Sequence, residues 1–547
     1  MSARREPMSA KKTKVADSKT RLLLAAMLVV AFLVTTSAYG AAPGITGPTF
    51  NLTAQAANIT QPDGGMIYSW GYGCASTYTA SFLPITITPP AGGCPTMQVP
   101  GPTLIVTEGQ TVTVNLLNGL PTSAGNTSIL FPGFNVKATG GVTGLLTQEA
   151  APGGTAVTYT FTAGSPGTRA YYSGTQGDLQ VEMGLYGAII VLPASVPTAC
   201  TTPAIRTNLF GVTSFTGTQE HDFRLAAAAY DHAKTCYDRE YLFQFAEMDP
   251  NIHTQALAQV TAAGNCTAGA AGCGLNVATE PYHPTYFLIN GRSMPDDMDP
   301  NYAAEYPHQP YNGNPHMHPG EQVLLRIIGQ GRWQHPFHEH GNHVRILGRD
   351  GSLILSASDS ATTPALAGPL LFTTTTTPGL AMDGIFYWTG KGLNWDAYGH
   401  NPLSTAPGGE LTCSPDANGY NTVVGAQTAI NYYEWCQDHN KPMQAAPFGD
   451  IAGGGPVTLP DPNIFTNGAW YGGSPYLGPN ATVRATGPTG TTPPSGTIAN
   501  SPTGEAGFAF MWHSHNEREI TTSNVFPGGM LMMMLVDSRE FVIDESN

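Results

Sequence analysis

Gln334-His335-Pro336-Phe337-His338-Glu339-His340-Gly341 is the stretch that decides how this chain is read. Side chains alternate between faces along a β-strand, so His338 and His340 share a face. About 170 residues downstream, Trp512-His513-Ser514-His515 repeats the alternation, placing His513 and His515 on one face. Two such strands side by side bring four imidazoles together, and neutral imidazole suits copper, zinc, iron and nickel.

The first segment resembles the His-Pro-x-His-x-His-Gly motif of the multicopper oxidases, the laccase-like cupredoxin enzymes. The second resembles that family's C-terminal His-Cys-His-x-x-x-His motif, with Ser514 at the cysteine position. Gly101–Val114 resembles the opening strands of the family's first domain, two β-rich runs around Glu108-Gly109-Gln110. Val142–Gln148, Thr155–Phe161 and Gly184–Val191 follow in the family's order. The resemblance implies an all-β fold of two cupredoxin-like Greek-key β-sandwiches, with long loop insertions in the second.

Carried over position by position, the resemblance implies His335 as a blue type 1 copper ligand, His338 as the type 2 ligand, and His340, His513 and His515 as type 3 ligands. Ser514 and Glu519 then stand where the type 1 cysteine and histidine belong, and Met530 matches the axial methionine. A blue site depends on a cysteine thiolate flanked by imidazoles. Serine cannot supply that bond, so the usual laccase reaction is not expected. A hydrogen bond or salt bridge from His335 to Glu519 is expected instead. The first-domain ligands are also missing, because the family's His-x-His pairs would fall at Leu130 and Pro132 and at Tyr172 and Gly174. No histidine precedes His221.

Composition agrees with strands and turns. The chain has 547 residues, of which 11% are charged, with 64 Gly and 45 Pro. Basic residues ahead of the apolar run 22–34 read as a secretory signal covering 1–40, which implies a secreted protein, extracellular or periplasmic, with no membrane span after cleavage. The net charge of −15 argues against nucleic-acid partners. The eight cysteines fall as Cys74/Cys94, Cys200/Cys236, Cys266/Cys273 and Cys413/Cys436. An even count in an exported chain reads as disulfides, though spacing leaves connectivity open.

The expected organisation is a first cupredoxin-like domain over 44–195, a connector over 196–237 with a short helix at Ala226–Ala229, and a second domain over 238–547. Residues 44–96 read as loops and edge strands. His316 and His318 repeat the alternation but sit among Pro and Gly, which reads as surface. Glu339 and His343 are candidates to complete a metal set, and the run Met530, Met532, Met533 and Met534 reads as core packing.

Two functions stay open. One is a copper-binding protein (zinc being the alternative metal) with a residual site in the second domain, any activity being that of a divergent copper-dependent oxidoreductase. The other is a metal-free extracellular structural or binding protein on the retained scaffold. The resemblance also implies a homo-oligomer, a trimer in two-domain relatives.

Overall fold

The computed structural model describes residues 42–84, 93–201, 224–356, 365–390, 416–420, 473–477, 506–537 and 543. These residues build two pairs of stacked sheets. In the first pair, Met66–Cys74, Thr49–Thr60, Thr111–Asn118, Val157–Thr162 and Lys137–Gly140 make one sheet. Gly167–Tyr172, Tyr186–Leu192, Leu104–Thr107, Gly44–Thr46 and Phe82–Leu83 make the other. Val112, Val114 and Leu116 point inward from Thr111–Asn118 while their neighbours face outward, the period-2 pattern of a half-buried strand. They meet Phe50, Leu52, Trp70, Tyr159, Phe161 and Ile189 in one core.

Thr49–Thr60 corrects the reading of residues 44–96 as loops and edges. It lies inside its sheet, antiparallel to Met66–Cys74 and parallel to Thr111–Asn118. Its alternation is blurred by small residues (Thr, Ala, Asn), which conceals a strand from a pattern search. The span 142–149 is a short exposed hairpin, Val142–Thr143 with Gln148–Glu149, rather than a long strand.

In the second pair, Tyr286–Ile289, Arg239–Met248, Gln322–Gly329, Ala381–Tyr387, Val344–Arg349 and Ser352–Leu353 form one sheet. The other runs His316–Met317, Leu531–Asp537, Ala506–Ser514, His335–Glu339 and Thr373–Thr376. Phe243, Phe245, Phe337, Trp512, Met530, Met532 and Met534 share its core, so three of the four methionines pack as expected, while Met533 is half-buried on the opposite face against Ala509 and Leu535. Pro250–Ala263 is a helix absent from the sequence reading. Asp249 caps it by accepting from the Asn251 amide, and Pro250 occupies its first turn. Ala226–Ala229 is not helical; Ala228 pairs with Cys236 in an isolated bridge instead.

Disulfides Cys74–Cys94, Cys200–Cys236 and Cys266–Cys273 are present, and no free cysteine occurs among the described residues. Cys413 and Cys436, and most of the insertions between 355 and 505, lie outside those residues, as do 1–40.

The two sandwiches meet over Ile105, Ala170, Ala188 and Ile190 on one side and Leu242, Ile328 and Ala381 on the other. A buried charge set closes this seam. Arg326 contacts Glu240 at 2.8 Å and Asp383 at 3.5 Å. Asp383 also accepts from the Thr168 amide (3.0 Å), the Thr168 hydroxyl (2.6 Å) and Tyr230 (2.7 Å). Asp383→Ala strips one carboxylate from a buried Arg326 and leaves three further donors unmatched. Its expected cost is about 3–5 kcal/mol, read as a lower urea midpoint. A shift within error of the wild type would show that the seam is held by its apolar contacts alone.

Candidate metal centre

Strand His335–Glu339 pairs antiparallel with Ala506–Ser514, setting Phe337 opposite Ser514, His338 opposite His513 and Glu339 opposite Trp512. This register separates two constellations. His335, Phe337 and Glu339 turn into the sandwich with Trp512 and Ser514, while His338, His340, His513 and His515 share the outer face.

On the outer face the His338 ring lies 4.7 Å from His340, 5.7 Å from His513 and 4.9 Å from His515, centre to centre. The His340 and His513 rings are 5.1 Å apart, and their Nε2 atoms approach to 3.2 Å. His513 Nδ1 lies 2.8 Å from the Ser514 carbonyl, an acceptor only, so Nδ1 carries the hydrogen and Nε2 the lone pair. His338 Nδ1 lies 2.8 Å from the Thr373 hydroxyl. Burial, reinforced by His513 and His515, pulls His338 down to about 4. Burial also lowers His513. Both are therefore neutral at pH 7, the ligating form of imidazole. His515 hangs at the rim, its side chain 49% exposed and 3.6 Å from Glu517.

Among the described residues, no group of three or more His, Cys, Asp or Glu is arranged to hold a metal ion. What the outer face offers is a pair. Two imidazoles bound tetrahedrally to one ion at about 2.0–2.1 Å put their nitrogens roughly 3.3 Å apart. The 3.2 Å between His340 and His513 fits that spacing. Glu339 is no partner to them: it is buried on the opposite face, accepts from Thr374 at 2.7 Å, and burial pushes it up to about 8. His343 sits against Phe372, ring centres 5.3 Å apart, and Phe372 separates it from His338.

The inner face is a network of hydrogen bonds around His335, Ser514 and Glu519. His335 is fully buried, with Nδ1 2.9 Å from Glu519 and Nε2 2.9 Å from Glu247. Its two carboxylates flank opposite edges of the ring and cannot converge on one ion with it. His335 is thus a salt-bridged residue and not a member of the outer set. Ser514 donates to the same Glu519 oxygen at 2.5 Å, and Asn516 donates to the other at 2.8 Å. Glu247 also accepts from the amides of Arg332 (2.7 Å) and Trp333 (2.8 Å). Tyr282 bridges Glu247 to Glu182, which burial pushes up to about 8. Burial alone would lower His335, but the bonds to Glu247 and Glu519 raise it to about 9. The involvement of Glu247 and Glu182 was not read from the sequence, because nothing in their local patterns marks them.

In the first sandwich, Leu130 pairs with Tyr172 across an isolated bridge, and the Leu130 side chain fills the space beside Gly174. The positions where the resemblance placed first-domain histidines thus adjoin, with the Leu130 side chain packed between them. His316 and His318 are buried, contrary to the surface reading: His316 lies 2.7 Å from the Asp537 carboxylate and His318 lies 2.9 Å from its carbonyl.

Residues 96–195 match the family model of a multicopper oxidase. No curated protein matches the sequence. Among solved structures, the chain is similar to the multicopper oxidase mgLAC, with 15% identity over 89% of this chain and 86% of that one, at a TM-score of 0.41. Similarity to the blue copper oxidase from Nitrosomonas europaea is also 15% identity, over 89% and 85%, at 0.41. The copper nitrite reductase from Nitrosomonas europaea shares 18% identity over 63% of this chain and 85% of that one, at 0.35. The family match thus covers residues 96–195, within an all-β chain built on two pairs of stacked sheets.

Proposed function

We propose that this is an exported multicopper-oxidase-like protein that binds one copper ion on the outer face of the second sandwich and has no blue copper. The observation that carries the reading is the 3.2 Å approach of His340 Nε2 to His513 Nε2. His340 and His513 would hold the ion, with His338 buried beside them and His515 at the rim. When bound, copper would supply a redox-active centre open to solvent-borne ligands. The protein's part is to keep His513 neutral by burial and to aim its Nε2 outward through the Ser514 carbonyl. Zinc suits the same donors.

Export is supported by three disulfides, which persist in oxidising compartments. No helix among the described residues is long and apolar enough to cross a membrane. Assembly into a homo-oligomer remains part of this proposal and follows only from the family resemblance.

A metal-free scaffold is the competing reading, favoured by the lack of a three-donor group among the described residues. Metal analysis of protein recovered from an export route, before and after copper loading, separates the two. About one equivalent without blue colour, lost in the His340→Ala/His513→Ala double variant, is the expected result. Retention of the same metal by the double variant would remove this face as the site.

A further inference from the structure

Glu182, Tyr282 and Glu247 meet between the two sandwiches, and the hydrogens there do not match the oxygens that need them. Glu182 belongs to the first sandwich, between strands Gly167–Tyr172 and Tyr186–Leu192, while Glu247 lies in strand Arg239–Met248 of the second. Both are buried, each at 2% exposure. The Tyr282 hydroxyl lies 2.7 Å from one Glu182 oxygen and 3.2 Å from one Glu247 oxygen. A phenol has one hydrogen and an ionised carboxylate only accepts, so two ionised glutamates leave one of these contacts without a proton.

We propose that Glu182 keeps its proton in the folded protein at neutral pH and acts as a pH-sensitive latch between the sandwiches, donating to Tyr282 while Tyr282 donates to Glu247. The partners decide which glutamate is the acid. The Glu247 oxygen that faces Tyr282 also accepts from the amides of Arg332 and Trp333, at 2.7 and 2.8 Å, and its other oxygen lies 2.9 Å from His335. That is the donor set of an anion. Glu182 accepts from the Asp249 amide at 2.6 Å through the oxygen that does not face Tyr282. His253 Nε2 stands 3.8 Å from that same oxygen. Its Nδ1 lies 2.6 Å from the Tyr68 carbonyl and must donate there, so the neutral ring turns a lone pair, not a hydrogen, toward Glu182.

The surrounding charges fit this assignment. Burial pulls His253 down to about 4, so it is no cation at pH 7. The Asp249 carboxylate is taken up by the amides of Asn251 and His283, at 2.9 and 2.8 Å. Arg332 stacks over the Tyr282 ring at 4.1 Å and is bound to the exposed Glu280 at 2.5 Å. Burial holds Tyr186 well above the ordinary tyrosine value, and so neutral. Burial, with Glu247 adding to it, raises Glu182 from 4.5 to about 8 against the pull of the Asp249 amide, Tyr282 and Arg332. Ionisation then sets a second negative charge beside Glu247 with no second hydrogen to share, and the latch weakens.

Glu182→Gln tests the latch, because a carboxamide offers the same carbonyl to Asp249 and a permanent donor to Tyr282. Unfolding of the full-length wild type and variant is followed in urea at a series of pH values. An acid raised on folding stabilises fully below its unfolded value, and that contribution is lost as pH climbs through the folded value. The ratio of wild-type to variant unfolding constants is therefore expected to rise about tenfold per pH unit between about 4.5 and 8, then level off. A ratio that stays constant across that range overturns the proposal. Should the variant misfold, carbon magnetic resonance of the glutamate carboxyl groups decides, in protein carrying Glu339→Gln because burial raises Glu339 as well. One glutamate still protonated at neutral pH supports the latch, and a full set of ionised glutamates overturns it. Neither result bears on the outer-face histidines.

Discussion

His335→Ala is expected to lower the unfolding free energy by about 3–5 kcal/mol, among the largest effects of any single substitution here. The side chain is fully buried between Glu247 and Glu519, each at 2.9 Å, and its removal leaves two carboxylates facing each other without a cation. The wild type carries a pH signature of the same bond. The folded-state value of His335 is raised from the ordinary 6.5 to about 9. A group raised on folding stabilises fully below its unfolded value, and the contribution fades as pH climbs through the folded value. Stability on the order of 3 kcal/mol is therefore present below about pH 6.5 and lost by somewhat above pH 9. Urea midpoints measured across that interval should fall more steeply for the wild type than for His335→Ala. Parallel alkaline profiles would mean that His335 is held neutral and that one of its carboxylates carries the proton.

Much of this was legible in the sequence, for physical reasons that differ by element. Thr111–Asn118 shows because Val and Leu alternate with polar residues, and Leu104–Thr107 because it is a short β-branched apolar run, the two joined by a tight turn at Glu108-Gly109-Gln110. The four outer-face histidines show because the strand period of two survives any amount of loop insertion between the motifs. Thr49–Thr60 stayed hidden because its inward residues include small ones whose burial depends on the neighbours. The helix Pro250–Ala263 carried its signal in Asp249-Pro250, an N-cap followed by proline, overlooked against an all-β expectation. Glu247 and Glu182 could not be found at all. A buried carboxylate looks like any other in sequence, and only the fold brings Glu247 within 2.9 Å of a histidine 88 residues away. The surface reading of His316 and His318 failed for a related reason: Pro and Gly suggested a loop, while the partner that buries them, Asp537, lies 221 residues on from His316.

Ser514→Cys combined with Glu519→His is expected to create a blue copper site where the wild type has none. The prediction rests on convergence. Ser514 Oγ and His335 Nδ1 both reach the same Glu519 oxygen, at 2.5 and 2.9 Å, so one point is already within reach of positions 335 and 514. Met530 is fully buried nearby: its amide donates to the Glu519 carbonyl and its own carbonyl accepts from the Ser514 amide. A cysteine thiolate, two imidazoles and a weak axial methionine are the donor set of a blue site. Glu247 would remain behind His335 Nε2 as the carboxylate that orients the ligand ring. With Cu2+ the double variant should show intense visible absorption. Ser514→Cys alone keeps Glu519 bonded to His335, and Glu519→His alone lacks the thiolate, so both singles should stay colourless. A folded, copper-loaded double variant without colour would show that the inner face has closed around its hydrogen bonds. In that case the packing of the pocket, and not the two side chains alone, keeps a blue centre from forming.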